Sequence, residues 1–196
     1  MSNLKQAIKQ NYVKCVQNPS YFINEFCTIQ HPQRGKIKFK LYPYQYDVLD
    51  EFEKHDYNVV LKSRQLGIST LSAAYALWMM LFHNDKNILC IATSKDTAKN
   101  LVTKVRIMYE GLPNWLKTAI VENNKLSLIF KNGSQIKAIA SNESAGRSEA
   151  LSLLILDEAA FIDKIDTIWT AAQQTLATGG RCIGISTPNG VGNWFH

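Results

Sequence analysis

The sequence lacks three features that would assign it to common protein classes. It has no apolar run of the roughly 20 residues that a membrane-spanning helix needs. Its first segment, MSNLKQAIKQNYVKC, lacks the apolar core of a signal peptide. It contains no C-x-x-C pair, and its four cysteines are scattered at positions 15, 27, 90 and 182. This pattern favours a reduced, cytosolic protein over a disulfide scaffold or a zinc site.

Acidic residues are almost missing from the first 40 positions. Glu25 stands there alone against seven Lys or Arg, whereas the rest of the chain carries equal numbers of both signs. The net charge of +6 therefore lies in the N-terminal segment. Such a segment either attracts nucleic acid or is an exposed, soluble flank, and the sequence leaves both readings open.

Hydrophobic residues make up 46% of the 196 positions, which is typical of a soluble globular chain of one or two domains. Continuously apolar runs alternate with helical patterns. The predicted strands are YNVVLKS, KNILCIATS, LSLLILDEA and RCIGISTPNG, with a β-hairpin insertion around 125–141. Because strands that are apolar throughout are buried on both faces, we expect an α/β fold whose mainly parallel sheet has helices on both sides.

The first predicted strand runs into KSRQLGIS, a deviant phosphate-binding loop. The usual template, G-x-x-x-x-G-K-[ST], would place Gly at 62 and Lys at 68, but this chain has Lys62 and Ile68. Gly67 allows close backbone approach, and Ser69 stands where a hydroxyl ligates Mg²⁺. An ordinary strand–helix turn is the alternative.

Two acids, Asp157 and Glu158, follow the apolar run LSLLIL, which is the Walker B pattern. We expect Asp157 to hold Mg²⁺ through water and Glu158 to polarise the water that attacks the γ-phosphate. The alternative is a pair of solvated acids at a strand end.

Two basic side chains are candidates for the missing positive charge. Lys62 can fold back over the loop to the β- and γ-phosphates, and Arg64 can act as an arginine finger supplied in cis. Ile68 would then pack inward. The competing interpretation is a degenerate fold that does not hydrolyse nucleotide.

The stretches KSRQLGIS, LLILDEAAFI and STPNGVGNWF, in this order, resemble the ATPase domain of the large terminase subunit of tailed bacteriophages, the motor that packages viral DNA. The resemblance runs from residue 42 to residue 196. It implies a P-loop NTPase of the ASCE type over 41–196, with the basic segment 1–40 packed on it, and it implies ATP and Mg²⁺ as cofactors.

The resemblance assigns roles residue by residue. Lys62 matches the family's displaced lysine, and Arg64 matches its loop arginine. The residues expected to bind nucleotide are Tyr44, Gln45, Lys62, Ser63, Arg64, Gln65, Leu66, Gly67, Ile68, Ser69, Thr70 and Asp157, with Ser69 and Asp157 as metal ligands. The segment that couples hydrolysis to motion is matched by Ser186, Thr187 and Pro188.

Two further matches are weaker. Tyr44-Gln45 resembles the adenine-recognition element, because a Gln amide can both donate to and accept from the adenine edge; the start of an amphipathic helix is the alternative. Arg147, in SAGRS (144–148), resembles a finger that acts across a subunit boundary; the alternative is a solvated loop arginine.

The resemblance also implies partners: double-stranded DNA, the portal protein, the small terminase subunit and further copies of the chain in a ring, in the bacterial cytoplasm and at the procapsid. The family's nuclease domain would follow GNWFH, so we expect no nuclease activity from these residues, and the ATPase domain can lack its final strands. Alternative functions are a superfamily 2 helicase-like translocase, which usually keeps G-K-[ST] and D-E-x-H/D, and a non-hydrolysing nucleotide-binding remnant.

Overall fold

The computed structural model describes residues 2–141 and 149–196. Six α-helices and nine strands are distributed over these two ranges. The helices are α1 (Ser2–Gln17), α2 (Pro19–Phe26), α3 (Pro43–Lys54), α4 (Ile68–Phe82), α5 (Lys95–Gly111) and α6 (Ile165–Leu176). The strands are β1 (Thr28–His31), β2 (Gly35–Lys38), β3 (Tyr57–Leu61), β4 (Asn87–Ala92), β5 (Ile120–Asn123), β6 (Ser127–Phe130), β7 (Gln135–Ala140), β8 (Leu153–Asp157) and β9 (Arg181–Ser186).

A seven-stranded sheet in the order β3-β9-β8-β4-β7-β6-β5 forms the centre of the fold. The pairs from β3 to β7 are all parallel, whereas β6 and β5 join the sheet in antiparallel fashion. The register aligns Leu61 with Ser186 and Ala92 with Asp157. Because the carboxyl ends of parallel strands share one edge, the polar residues that follow β3, β8 and β9 meet there.

Helices cover both faces of this sheet, which confirms the predicted fold class. On one face, α4 is buried at every position from Leu71 to Leu81, because the sheet lies on one side of it and the other helices of this face pack around the rest. On the other face, Ile168 and Ala172 of α6 pack into a second apolar cluster with Leu154 and Leu156 of β8. The continuous hydrophobicity of α4 and β8 thus reflects burial on all sides.

The basic N-terminal segment contains more regular structure than its sequence predicts. The aromatic stretch after Asn18 is the helix α2, because the Asn18 side chain caps it by accepting from the Tyr21 N–H (2.9 Å) and Pro19 occupies its first turn. Phe22 of α2 packs edge-to-face on Phe82 of α4, with ring centroids 5.3 Å apart. Whether this segment attracts nucleic acid stays a prediction.

The predicted hairpin is confirmed, but it is part of the main sheet. Strands β6 and β7 pair around Gly133, whose φ of +80° lies in the left-handed region, and β7 then pairs with β4 in parallel. The sequence before the apolar pattern of α5 predicts Asp96 as its N-cap, and this prediction was wrong by two residues: Ser94 caps the helix by accepting from the Thr97 N–H, and Asp96 lies inside the first turn. Among the helices of residues 2–141 and 149–196, none combines the length and hydropathy that crossing a bilayer requires.

Candidate active site

The site lies where β3, β8 and β9 end. Two hydrogen bonds to Ser186 hold these ends together: the Lys62 N–H donates to its backbone carbonyl (3.0 Å), and the Ala160 N–H donates to its side-chain Oγ (3.1 Å). Ser186 is fully buried between them. Of the predicted coupling residues, Ser186 therefore joins the loop of β3 to the turn that follows β8.

The loop from Lys62 to Gly67 turns sharply into α4. Gln65 (φ +65°) and Gly67 (φ +72°) both adopt left-handed conformations, and the Leu71 N–H donates to the Gly67 carbonyl (2.9 Å). Gly67 is the cap residue of α4 and has no side chain to satisfy the first N–H groups. Those groups and the helix dipole therefore face the loop, which is the arrangement that binds phosphate. Ile68 is 2% exposed and packs inward, as the sequence predicts.

Ser69 and Asp157 meet beside this helix start, although 88 residues separate them. Ser69 Oγ donates to Asp157 Oδ1 over 2.8 Å, and Asp157 is almost fully buried. A hydroxyl and a single carboxylate are hard oxygen ligands, and Mg²⁺ in proteins usually takes one or two carboxylates and keeps several waters. The donor set of this pair fits Mg²⁺.

Lys62 and Glu158 form an ion pair across the mouth of the site. The distance from Lys62 Nζ to Glu158 Oε1 is 3.0 Å, and the Lys62 side chain is only 8% exposed. Glu158 Oε2 accepts from both the N–H and the Oγ1 hydroxyl of Thr187, each at 3.3 Å. Partial burial alone would raise the pKa of Glu158, but the hydrogen bonds from Lys62 and Thr187 outweigh it and leave this pKa below its usual value. Glu158 is therefore a carboxylate at neutral pH.

The backbone of Glu158 is in the left-handed region (φ +56°, ψ +47°), which is uncommon for a residue with a Cβ. Non-glycine residues in this region concentrate at active sites, where the surrounding structure holds them. Here the conformation ends β8 abruptly, starts the short 3₁₀ turn Ala159–Phe161, and places the side chain between Lys62 and Thr187.

A cavity of about 560 Å³ opens in front of this pair. Its lining residues are Lys62, Arg64, Gln65, Thr93, Glu158, Phe161 and Thr187. Arg64 is exposed in the wall of this cavity, and no carboxylate within residues 2–141 and 149–196 forms an ion pair with it. Thr93 and Phe161 were missed by the sequence reasoning. Thr93 directly follows β4, so its place at the carboxyl edge of the sheet was a usable signal.

Gln45 is engaged inside the protein. It is 1% exposed, its Oε1 accepts from the Tyr42 N–H (3.1 Å), and its Nε2 donates to the Leu66 carbonyl (3.0 Å). The Tyr44 hydroxyl donates to the same carbonyl (2.8 Å). In this structure the Tyr44-Gln45 pair fastens α3 to the loop, and its role in adenine recognition stays a prediction.

Of the other predicted residues, Ser63 and Leu66 are exposed on the loop, and Thr70 is half-buried in the first turn of α4. Pro188 is exposed beside Asn189, whose side-chain amide donates to the Ala160 carbonyl (2.9 Å), so the coupling segment contacts the turn after Glu158. Arg147 and its loop 144–148 lie outside the described residues.

Residues 59–196 match the family model of the N-terminal part of the T4-like-virus type of terminase large subunit. Three solved structures are similar in fold. The large terminase ATPase domain of Thermus phage P74-26 is 24% identical over 80% of this chain and 68% of that one, with a TM-score of 0.65. The large terminase of bacteriophage HK97 is 22% identical over 88% of this chain and 37% of that one, with a TM-score of 0.69. The large terminase of a thermophilic bacteriophage, in complex with ATP-γ-S, is 15% identical over 76% of this chain and 38% of that one, with a TM-score of 0.57.

Proposed function

Since this chain belongs to the T4-like-virus type of terminase large subunits, we propose that it is the ATP-hydrolysing motor domain that powers translocation of double-stranded DNA into a viral capsid. The chain spans little more than a third of the HK97 large terminase that it resembles in fold. The proposal therefore concerns the motor and not the whole packaging enzyme. The family match favours it over a helicase-like translocase.

The single observation that carries the proposal is the convergence of two distant stretches at one sheet edge. Lys62 meets Glu158 across 96 positions, and Ser69 meets Asp157 across 88. A bare strand–helix turn or two solvated acids would not bring a lysine, a hydroxyl and two carboxylates together at the start of an uncapped helix. A remnant that no longer hydrolyses nucleotide has no need of the second carboxylate.

Each side chain has a role that follows from its position. Ser69 and Asp157 would hold Mg²⁺, which neutralises charge on the β- and γ-phosphates when it is bound. Glu158 is ionised and can take a proton from water, provided that Lys62 leaves it. The Lys62 ammonium can pair with Glu158 or with a terminal phosphate, but it cannot neutralise both equally. We therefore propose that nucleotide binding draws Lys62 to the phosphates and frees Glu158 for catalysis.

Thr187 is positioned to transmit a change at Glu158 to the segment that follows β9. It donates twice to Glu158, and it follows β9 directly in the predicted coupling segment. A change in the partner of Glu158 would alter both hydrogen bonds. Arg64 would act as an arginine finger in cis from the wall of the cavity, and Arg147 would act in trans within a ring of subunits. We propose that this ring assembles at the procapsid portal in the bacterial cytoplasm, where its partners are the small terminase subunit and DNA.

Binding of Mg²⁺ and ATP to the loop is the first expected result. At a hundred times the dissociation constant a ligand stabilises the folded state by about 2.7 kcal/mol. For a domain of this size, the melting temperature should rise by roughly 5–10 °C. Differential scanning fluorimetry with a non-hydrolysable ATP analogue, with Mg²⁺ and then with EDTA, measures this shift. A folded sample whose melting temperature does not respond to millimolar Mg²⁺ and nucleotide would contradict the proposal.

Gly67→Ala tests the loop conformation. The φ of +72° is strained for alanine, and the new Cβ would lie 3.0 Å from Gln45 Nε2, which holds the Leu66 carbonyl. We expect a loss of about 1 kcal/mol of stability and a clear loss of nucleotide affinity. Gly35→Ala is the matched control, because its φ is +68° and its Cβ would meet nothing within 4 Å. Equal nucleotide affinity in the two variants, measured by calorimetry, would show that the loop does not depend on Gly67.

A further inference from the structure

A second, smaller cavity of about 190 Å³ lies against the loop and the first turn of α4. Its walls are Lys62, Gln65, Leu66, Gly67, Ile68, Ser69 and Thr70, together with Lys104. Lys104 alone comes from a different element, the middle of α5. Lys62 and Gln65 line both this cavity and the larger one that contains Glu158, so the two spaces flank the same loop.

Lys104 is a half-buried cation on the side of α5 that borders the loop. No carboxylate within residues 2–141 and 149–196 forms an ion pair with it. Ile29, Ile107 and Met108 line an adjoining cavity that Lys104 also borders, so its surroundings on that side are apolar. An anion bound at the loop would supply the counter-charge that these residues do not.

A nucleotide bound at the loop would have phosphates in both cavities, because the two cavities share Lys62 and Gln65. Glu158 and Thr187 mark the side at which the terminal phosphate is attacked. Ser69, in contact with Asp157, marks the metal position, and the next residue, Thr70, lines the cavity of Lys104 but not the cavity of Glu158. Because a phosphate-binding loop holds the α- and β-phosphates on its backbone N–H groups, the phosphates that are not transferred lie toward Lys104.

We propose that Lys104 binds the α- and β-phosphates of the nucleotide, supplying from α5 a positive charge that the loop lacks at Ile68. This role rests on the proposed function. The sequence reasoning missed it because Lys104 lies far from both motifs, on a helix with several other lysine and arginine residues. Only the packing of α5 beside α4 places Lys104 in the wall of the cavity at the loop.

The test compares Lys104→Met with Lys99→Met in the 196-residue chain. Methionine keeps the length and apolar stem of lysine without its charge. Lys99 is a half-buried lysine of the same helix that does not border the loop cavity. Calorimetry with ADP and with a non-hydrolysable ATP analogue should show that Lys104→Met lowers the affinity for both nucleotides by the same factor. We expect a loss of roughly ten-fold or more, as for a lost charge-assisted hydrogen bond. Lys99→Met should bind like the parent, and Lys104→Arg should recover most of the affinity.

Three outcomes would overturn the role of Lys104. Parent-like affinity of a folded Lys104→Met chain would remove it, and an equal loss in Lys99→Met would show a general effect of net charge. A loss for the ATP analogue but not for ADP would place Lys104 at the γ-phosphate instead. If the parent chain binds neither nucleotide, the proposed function itself fails, and this result is distinct from the other three.

Discussion

Replacing Lys62 with alanine is expected to abolish ATP turnover. Lys62 lines both cavities at the loop, and its side chain is almost fully buried against Glu158. Its loss removes the charge available to the β- and γ-phosphates, and the loss of one such preorganised group costs about 10²–10³ in rate. The substitution also leaves Glu158 without the partner that lowers its pKa, so that this pKa should rise.

The assay is ATP turnover of a form of the subunit that is shown to be active, with folding checked by circular dichroism. Lys99→Ala serves as the matched loss of one lysine outside the loop. Any residual kcat/KM of Lys62→Ala should require higher pH than the parent, because kcat/KM reports the free protein, in which the base must be ionised and the pKa of Glu158 is raised by the loss of Lys62. If a folded Lys62→Ala protein turns over ATP at the parent rate, the displaced lysine is not needed, and Arg64 or a partner subunit must supply the charge.

Ile68→Lys tests the deviant loop by giving it the lysine of the usual phosphate-binding template. It places a lysine at the usual position and should restore part of the activity in the Lys62→Ala background. In the parent background it should add nothing and should lower the melting temperature, because position 68 is 2% exposed and a buried ammonium is costly. A parent-like melting temperature of the Ile68→Lys single variant would mean that the new lysine side chain reaches the phosphate site instead of staying buried.

Glu158→Gln is expected to keep nucleotide binding and lose most turnover, by about 10²–10⁴ in kcat. Glutamine retains the shape and one acceptor for Thr187, but it cannot take the proton of the attacking water. Because Lys62 loses its counter-charge at the same time, nucleotide should bind at least as tightly as to the parent. This combination distinguishes a base from a residue that merely holds the loop.

Asp157→Asn and Glu51→Gln complete the comparison. Asp157→Asn should weaken binding only when Mg²⁺ is present, since Asp157 contacts Ser69 and not Lys62. Glu51 is an exposed residue of α3 away from the site, so Glu51→Gln should resemble the parent. Single-turnover hydrolysis gives the rate of the chemical step, and equilibrium binding, measured separately, gives the nucleotide affinity. Parent-level hydrolysis by Glu158→Gln would show that the two acids have been assigned the wrong roles.

The linear pattern predicted most of the fold because its signals are local. Continuous apolar runs such as LSLLIL can be satisfied only by burial on both faces, and the structure confirms a mainly parallel sheet with helices on each side. The aromatic stretch that became α2 was missed, because its helix depends on the Asn18 cap and on packing against α4.

The sequence by itself determined which residues end the strands, and therefore that Lys62, Asp157 and Ser186 share one edge of the sheet. Only the tertiary structure decided how they pair. The insertion of β9 between β3 and β8 brings Thr187 to Glu158, the tight turn of the loop aims Lys62 at the same carboxylate, and the packing of α5 beside α4 brings Lys104 to the loop. These contacts depend on strand order and helix packing, and periodicity along the chain carries no information about either, because it reports how each segment is buried and not which segment lies beside it.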